Sequence, residues 1–430
     1  MAVKKIVIVG GGAGGLALAS RLGRKLGKTD KFDICLIDKS PVHLWKPKLH
    51  EVAVGAIDRS IDGLLYRDHG LKNGYRFIRG EFTGCDVDNK TIDLAPVYAE
   101  DGELLLSSRN IDYDIMVLAL GSVSNTFGTP GAIENCIFLD NLLSAEFFHQ
   151  KLLDALLQLS ESEDKKLSIG IVGAGATGVE LAAELFHVID SVKDFGYDNV
   201  SDGHLDVHLI EASPKILPQL PERISARAQS LLDRIGVKLH IGVQVQEVTK
   251  DGFITHDGNL IPANIKVWAA GVMGPSIFAK LTQLPVTKRN QIEVDRFMKV
   301  DGVEDVYVIG DCAAMELQDG RMSPPRAQAA DQMAHRLHKN LVNKFKGKAE
   351  NEFVYKDYGS LVSLSRFSAV GNLMGSMRSG EFFVEGHIAR FMYMSLYQRH
   401  LSSLYGYFSA LIYRFAQKLL RWHRPKLKLH

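Results

Sequence analysis

The sequence predicts an α/β protein built around two similar doubly wound halves, and three observations predict it. A short buried-type strand near the N-terminus, Ile6–Val9, runs into Gly10, Gly12 and Gly15 and then into an Ala/Leu-rich helix. The same strand, glycine spacing and helix return about 160 residues later, as Ser168–Val172 followed by Gly173, Gly175 and Gly178. In each half the next apolar strand, Phe32–Ile37 or Val207–Ile210, ends on an acidic residue, Asp38 or Glu211. One such glycine pattern is often only a turn. Two of them, each set between strand and helix and each followed by a strand-end acid, specify an architecture.

The chemistry of each element follows from its position. The first glycine makes the tight turn, the second lets the backbone approach a pyrophosphate, and the third lets helix and strand pack closely. The helix N-terminus then offers free N–H groups to phosphates. Asp38, 28 residues after Gly10, is placed to accept hydrogen bonds from a ribose. Glu211 favours the free 2′-hydroxyl of NAD and repels the 2′-phosphate of NADP. Ala212, Ser213 and Pro214 follow it, so no arginine is close by to accommodate that phosphate. NADH is the expected second ligand. Two Rossmann-like sites in one chain point to a flavin and a nicotinamide arranged for hydride transfer.

Bulk properties set the frame. A chain of 430 residues suits two or three domains. With 46% hydrophobic and 23% charged residues it is an ordinary globular composition rather than a disordered one. A net charge of +1 gives no reason to expect nucleic acid. Cys35, Cys85, Cys136 and Cys312 are widely spaced, with no CxxC, which argues against a disulfide framework or a structural metal. The start, MAVKKIVIVGGG, reads as a first strand rather than a signal peptide. No run of 18 uncharged apolar residues exists, so no membrane-spanning helix is expected, and the protein is expected to stay on the cytoplasmic side.

Further motifs carry a resemblance. Asp305–Gly310 reads DVYVIG and leads into Asp311, Cys312, Ala313 and Ala314. This is similar to the second FAD fingerprint of the two-dinucleotide-binding flavoproteins, which implies that Asp311 hydrogen-bonds the ribitol; otherwise it is a strand-end carboxylate. Disulfide reductases of that fold carry two redox cysteines four residues apart, and no such pair occurs here. The stretch HLWKPKLHEVAVG from His43 to Gly55, Leu118 to Ser122, Trp268 to Gly271, Arg326 to Gln332 and the terminal Arg424 to His430 closely resemble the type II NADH:quinone oxidoreductases. The resemblance covers essentially the whole chain. It is to the bacterial respiratory form, since no presequence or calcium-loop insertion is present.

The resemblance implies site residues. FAD would be held by Gly10, Gly12, Gly14, Gly15, Asp38, Pro47, Lys48, Gly121, Gly310, Asp311, Ala327 and Gln328. NADH would be held by Gly173, Gly175, Gly178, Glu180, Glu211 and Gly271. The A-Q-x-A-x-Q segment, Ala327 to Gln332, would lie beside the flavin ring at the quinone end. Glu180 would position the dihydronicotinamide, and Lys356 would supply a proton to the reduced quinone. No metal is implied.

The same residues also have readings of their own. Pro324 and Pro325 precede a helix starting near Arg326, whose free N–H groups and positive dipole end suit the negative charge of a reduced flavin. Gln328 and Gln332, four apart on one face, are neutral donors suited to a quinone carbonyl, or equally surface amides. Glu180 in GVELAAE also reads as a helix-face glutamate in register with Glu184, and Lys356 as a solvated lysine.

A nested layout follows: 1–160 as the first part of the FAD domain, 165–285 as an inserted NAD domain, 286–345 as the second part of the FAD domain, and 346–430 as a membrane-anchoring region. Ser160–Lys166 is the expected exposed crossing. From Gly386 to His430 there are eight Lys/Arg and no Asp or Glu, against a net acidic remainder. Leu396, Tyr397, Leu401, Leu404, Tyr405, Phe408, Leu411, Ile412, Phe415 and Leu419 fall at helical spacing, opposite Arg399, Arg414, Lys418 and Arg421. Such amphipathic helices suit an anionic membrane surface, with Gly406 as the break between two of them. Packing on the core or on a homodimer partner uses the same pattern.

The expected function is therefore FAD-dependent oxidation of NADH with reduction of a membrane quinone. It would proceed without proton pumping, on the cytoplasmic face of a bacterial inner membrane. A soluble reductase of an electron-carrier protein and a flavoprotein NADH sensor share both nucleotide sites and stand as alternatives.

Overall fold

The computed structural model describes residues 3–99, 101–161, 165–192, 195, 197, 199–364, 368–374 and 381–422. The elements needed below are, in chain order, β1 (Lys4–Val9), α1 (Ala13–Leu22), β2 (Phe32–Asp38), α2 (Leu49–Ala53), α3 (Arg59–Asp62), β3 (Arg76–Arg79) and β4 (Ile115–Leu118). There follow β5 (Ile137–Phe138), α4 (Leu142–Ser160), β6 (Leu167–Val172), α5 (Ala176–Val192), β7 (Leu205–Glu211), β8 (Lys238–Ile241) and β9 (Ile265–Trp268). The chain continues through β10 (Val306–Val308), α6 (Ala327–Phe345) and β11 (Ser360–Leu364), then α7 (Gly386–Tyr405) and α8 (Tyr407–Trp422).

The chain divides into two compact units. The first comprises Met1–Trp45, Gly63–Val123 and Val272–Lys356. Its centre is a parallel five-stranded sheet in the order β10-β4-β1-β2-β3. β1 is the middle strand because Ile6, Val7, Ile8 and Val9 are all buried, as a strand covered on both faces requires. The core beneath the sheet gathers Val7, Val9, Ile37, Met116, Leu118, Val306 and Val308 with Phe278 and Ile292.

The second unit comprises Lys46–Asp62, Ser124–Gly271 and Asp357–His430. It repeats the plan, with a parallel sheet in the order β5-β9-β6-β7-β8. Ile169 and Ile171 of β6 are fully buried. Each unit also carries a three-stranded antiparallel sheet that the sequence did not announce. In the first it is Phe82–Asp86, Thr91–Leu94 and Arg109–Asp112; in the second it is Val245–Val248, Gly252–Thr255 and Leu260–Pro262, and the second has another made of Ser360–Leu364, Ser368–Met374 and Glu381–Glu385.

The unit boundaries differ from the nested layout read from sequence. Residues 124–160 lie in the second unit because β5 pairs with β9, Phe138 against Trp268, and α4 follows directly. Residues 46–62 lie there too, and 357–430 share that unit rather than forming a separate region. The crossing expected at Ser160–Lys166 falls partly on 162–164, and the Arg424–His430 motif wholly, outside the described residues. The strand expected over Asp305–Gly310 is shorter: it ends at Val308, and Gly310, at φ +79°, opens a 3-10 turn through Cys312.

Candidate functional site

Each unit holds one glycine cradle at the C-terminal end of its central strand, and the two are built alike. Gly10 and Gly173 both adopt left-handed φ, +104° and +100°, and a Cβ on either would strike the backbone that follows the neighbouring strand. Gly15 and Gly178 sit where a Cβ would come 1.8 and 2.0 Å from the carbonyl oxygens of Gly10 and Gly173, so only glycine lets the helix close on the turn. Gly12 and Gly175 face open space, with nothing within 4 Å of a Cβ. These are the positions where a diphosphate needs bare backbone.

The strand-end acids have matching partners. Asp38 accepts from the Gly11 N–H at 2.7 Å and from the Ser40 N–H at 2.8 Å. Glu211 accepts from the Ala174 N–H at 2.8 Å and from the Ser213 N–H at 2.8 Å. Burial pushes the Asp38 carboxyl up, while the N–H groups of Gly11 and Ser40 pull it back. Each acid thus ties the glycine turn to the strand beside it.

The remaining expected contacts sort between the units. Gly121, Gly310, Asp311, Ala327 and Gln328 lie with the first cradle, and Glu180 and Gly271 with the second. Gly121 turns at φ +71° and Ser122 donates its hydroxyl to Asp311 Oδ2 at 2.8 Å, which fixes that carboxylate. Gly271, at φ +62°, must be glycine because a Cβ would strike the Phe127 ring. Helix α6 starts at Ala327 with Arg326 as N-cap and no side-chain cap, and the Arg326 carbonyl takes the Ala329 and Ala330 N–H groups at 2.9 and 3.1 Å.

Four expected residues have different surroundings. Gly14 is buried and lets α1 approach α6, where a Cβ would lie 3.3 Å from the Ala330 carbonyl; its part is packing. Pro47 and Lys48 belong to the second unit, where Lys48 stands 3.5 Å from Glu51 Oε1 and 4.4 Å over the Tyr397 ring. Gln332 spends its amide on the backbone of Lys356, donating Nε2–H to its carbonyl at 2.9 Å and accepting its N–H at 3.0 Å. It therefore staples that segment. Gln328 and Gln332 do share one face of α6, and the Gln332 amide is committed to the Lys356 backbone. Lys356 itself is exposed.

Sequence reasoning did not find the partner of Glu180. Glu180, on α5, is buried; its Oε1 accepts the Ser363 N–H of β11 at 3.0 Å and its Oε2 lies 3.3 Å from His50 Nδ1 of α2. Burial raises the carboxyl well above its usual range, and Glu51 and Glu184 add to the rise against the Ser363 N–H. Burial drives His50 down to about 4. Burial thus moves both groups toward their uncharged forms, which favours a hydrogen bond between them over an ion pair. The only sequence signal was a histidine in the LHEV segment.

Thiol chemistry is absent from the site. Cys35 and Cys312 are buried, Cys85 and Cys136 half-buried, and all four are free. Burial pushes each thiol up, to about 11 for Cys85 and about 12 for the others.

The C-terminal helices resolve the apolar stripe into two fates. Gly406, at φ +82°, breaks the run between α7 and α8. On α7, Leu401 and Leu404 are buried. On α8 the apolar side faces outward: Tyr407 is 72% exposed, Phe408 77% and Phe415 64%, with Leu411, Ile412, Leu419 and Leu420 also exposed. The side turned to the protein is polar. Tyr413 donates to the Ile61 carbonyl at 3.0 Å, and buried Gln417 donates to Asp62 Oδ1 at 3.0 Å. No helix among the described residues is long and apolar enough to cross a membrane.

With this geometry in place, comparison with known proteins is direct. The pyridine nucleotide-disulphide oxidoreductase family matches residues 4–334. A type II NADH:quinone oxidoreductase of Haemophilus influenzae is 39% identical over the full length of both chains. The chain belongs to the type II NADH:quinone oxidoreductases. A second enzyme of that name, from Staphylococcus saprophyticus, is 30% identical and covers 86% of this chain and 90% of its own. The structure of NDH2 from Plasmodium falciparum in complex with NADH superposes with a TM-score of 0.82 at 20% identity, covering 99% of this chain and all of that one. That last likeness shows a shared fold. As a type II NADH:quinone oxidoreductase, the chain matches that broader family with all four of its cysteines free.

Proposed function

We propose that the first unit binds FAD, the second binds NADH, and the enzyme oxidises NADH and reduces a membrane quinone to quinol without pumping protons. The observation that supports it most is the matched pair of cradles, each with a glycine facing open space and a strand-end acid holding the turn. The residues of the first unit fit a flavin dinucleotide: bare backbone at Gly12, a fixed carboxylate at Asp311, and the uncapped N-terminus of α6. A bound flavin supplies the two-electron relay between nicotinamide and quinone.

The chain's own residues then bind, orient and hold protons. Gly12, Gly15 and Asp38 seat the diphosphate and ribose of one ligand, and Gly175, Gly178 and Glu211 those of the other. Glu180, whose burial favours the protonated form, presents a hydrogen-bonding group to the dihydronicotinamide beside His50 Nδ1. Gln328 donates to the quinone carbonyl, and the α6 dipole favours negative charge at its N-terminus. Gln332 holds the backbone of Lys356, and the Lys356 ammonium delivers a proton to the reduced quinone.

The outward apolar face of α8 supports docking on the cytoplasmic surface of an inner membrane, where a quinone's tail stays in lipid. A helix that turns Gln417 inward and Phe408 and Phe415 outward leaves its large apolar side chains off its own core. The basic excess after Gly386 favours an anionic bilayer as the occupant of that face.

The test is anaerobic mixing. Purified protein with its flavin is mixed with NADH, flavin absorbance is followed, and a short-chain quinone is added. Prompt bleaching followed by prompt recovery is the expected result. Bleaching without recovery would remove the quinone as acceptor and leave a protein acceptor or a signalling role.

A further inference from the structure

The central peptide of the first glycine turn is held by side chains, whereas its counterpart in the second turn is held by backbone. Gly11 and Ala174 occupy the same place, between the first and second glycines of each cradle. Both donate N–H to the strand-end acid, Gly11 to Asp38 and Ala174 to Glu211. Their carbonyls differ. The Ala174 carbonyl accepts the backbone N–H of Leu217 at 2.8 Å. The Gly11 carbonyl accepts the Tyr66 hydroxyl at 2.7 Å and faces His43 Nδ1 at 2.9 Å. A carbonyl only accepts, so Nδ1 is the protonated nitrogen of His43.

The side-chain clamp is built in rather than incidental. Tyr66 is 3% exposed and His43 6%. The Tyr66 ring stacks on Phe77 with centroids 5.0 Å apart. Burial, with Asp38 nearby, raises the Tyr66 phenol well above its usual value, so it remains a donor at any working pH. A Cβ on Gly11 would lie 2.3 Å from the Tyr66 oxygen. This explains why the first turn reads Gly-Gly-Gly and the second Gly-Ala-Gly: the tyrosine takes the room that a methyl would need.

We propose that Tyr66 and His43 are positioning residues of the flavin site, fixing the Gly11 carbonyl so that the Gly12 N–H is aimed at the diphosphate of FAD. In a trans peptide the C=O and the following N–H point in opposite directions. Capturing the Gly11 oxygen on Tyr66 and His43 therefore turns the Gly12 N–H away from them, at the residue that faces open space. The inference rests on the reading of the first cradle as the FAD site.

The experiment removes the flavin and titrates apoprotein with FAD, with ADP (which keeps the diphosphate) and with NADH. Tyr66→Phe is expected to raise the Kd for FAD and for ADP by a common factor of about ten and to leave the NADH Kd unchanged. His43→Leu should behave likewise, and His43→Asn, which keeps an N–H near the same place, should restore most of the affinity. A Tyr66→Phe protein binding FAD within twofold of wild type would overturn the clamp. So would a loss shared equally by NADH, which marks general loosening, or a loss seen for FAD and not for ADP. Wild-type apoprotein that takes up no FAD would instead remove the underlying cofactor reading, and the clamp with it.

Discussion

Glu180 and His50 form a buried pair, Oε2 to Nδ1 at 3.3 Å, joining α5 to α2 within the second unit. The two shifts act on stability in opposite pH windows. His50 is depressed to about 4, so between that value and about 6.5 the unfolded chain takes up a proton that the folded chain refuses. Stability is therefore lost as pH falls through this window, by up to about 3 kcal/mol for a shift of this size. Glu180 is raised, so from about pH 4.3 upward the unfolded chain gives up its proton more readily than the folded carboxyl does. That cost grows with pH until the folded group ionises too. Glu180→Gln should thus gain melting temperature relative to wild type as pH rises from 4.5 to 7, and His50→Gln should lose less than wild type on acidification from 6.5 to 4. Parallel melting curves for all three proteins across that range would rule out the two opposed shifts.

Coenzyme choice should lie with Glu211. Its two carboxylate oxygens are engaged by the Ala174 and Ser213 N–H groups, which fixes a negative charge at the end of β7. That charge repels a 2′-phosphate. Glu211→Gln removes it and puts an amide against one of the two N–H donors. The ratio of kcat/KM for NADH over NADPH is expected to fall roughly tenfold, with the NADH term itself reduced. Steady-state kinetics with both coenzymes would show it, and an unchanged ratio would relocate the discrimination.

The parts of this protein that could be read from sequence are those whose physics is local. A tight turn, a bare backbone and a closely packed helix demand glycine at fixed spacing, so Gly10, Gly12 and Gly15 and their repeats announce themselves. The break at Gly406 is legible for the same reason. Pairings that span the chain leave no spacing signal: Tyr66 reaches Gly11, and His50 reaches Glu180, only once the sheets are assembled. The antiparallel sheets were missed because strands as short as Thr91–Leu94, TIDL, carry too little alternation to stand out. Periodicity also leaves open which side of a stripe faces the protein. Leu401 and Leu404 face in, Phe408 and Phe415 face out, and the repeat runs through both.

The inverted face of α8 separates two classes of substitution. Phe408→Ser with Phe415→Ser removes exposed apolar surface that contributes little to the fold, so melting temperature should hold. Partitioning onto anionic vesicles should fall by at least about tenfold, since burying each ring in lipid is worth roughly 1.5 kcal/mol or more. Gln417→Leu keeps the outer face but breaks the bond to Asp62, so it should lower stability by about 1–3 kcal/mol. Vesicle flotation and thermal melts on the two proteins check both arms. If the double serine variant instead changes sedimentation from dimer to monomer with lipid binding intact, a second copy of the chain occupies that face.

The two glutamines of α6 should fail differently. Gln332 makes two hydrogen bonds to the backbone of Lys356, so Gln332→Ala should destabilise by about 1–2 kcal/mol through the loosened segment. Its effect on turnover should then travel with Lys356→Ala, since both act on that segment. Gln328 has no such duty to Lys356. Gln328→Ala should slow the quinone step while flavin bleaching by NADH proceeds at close to the wild-type rate. Stopped-flow measurement of the two half-reactions separates these outcomes. Equal slowing of both half-reactions in Gln328→Ala would place that side chain with the flavin rather than with the quinone.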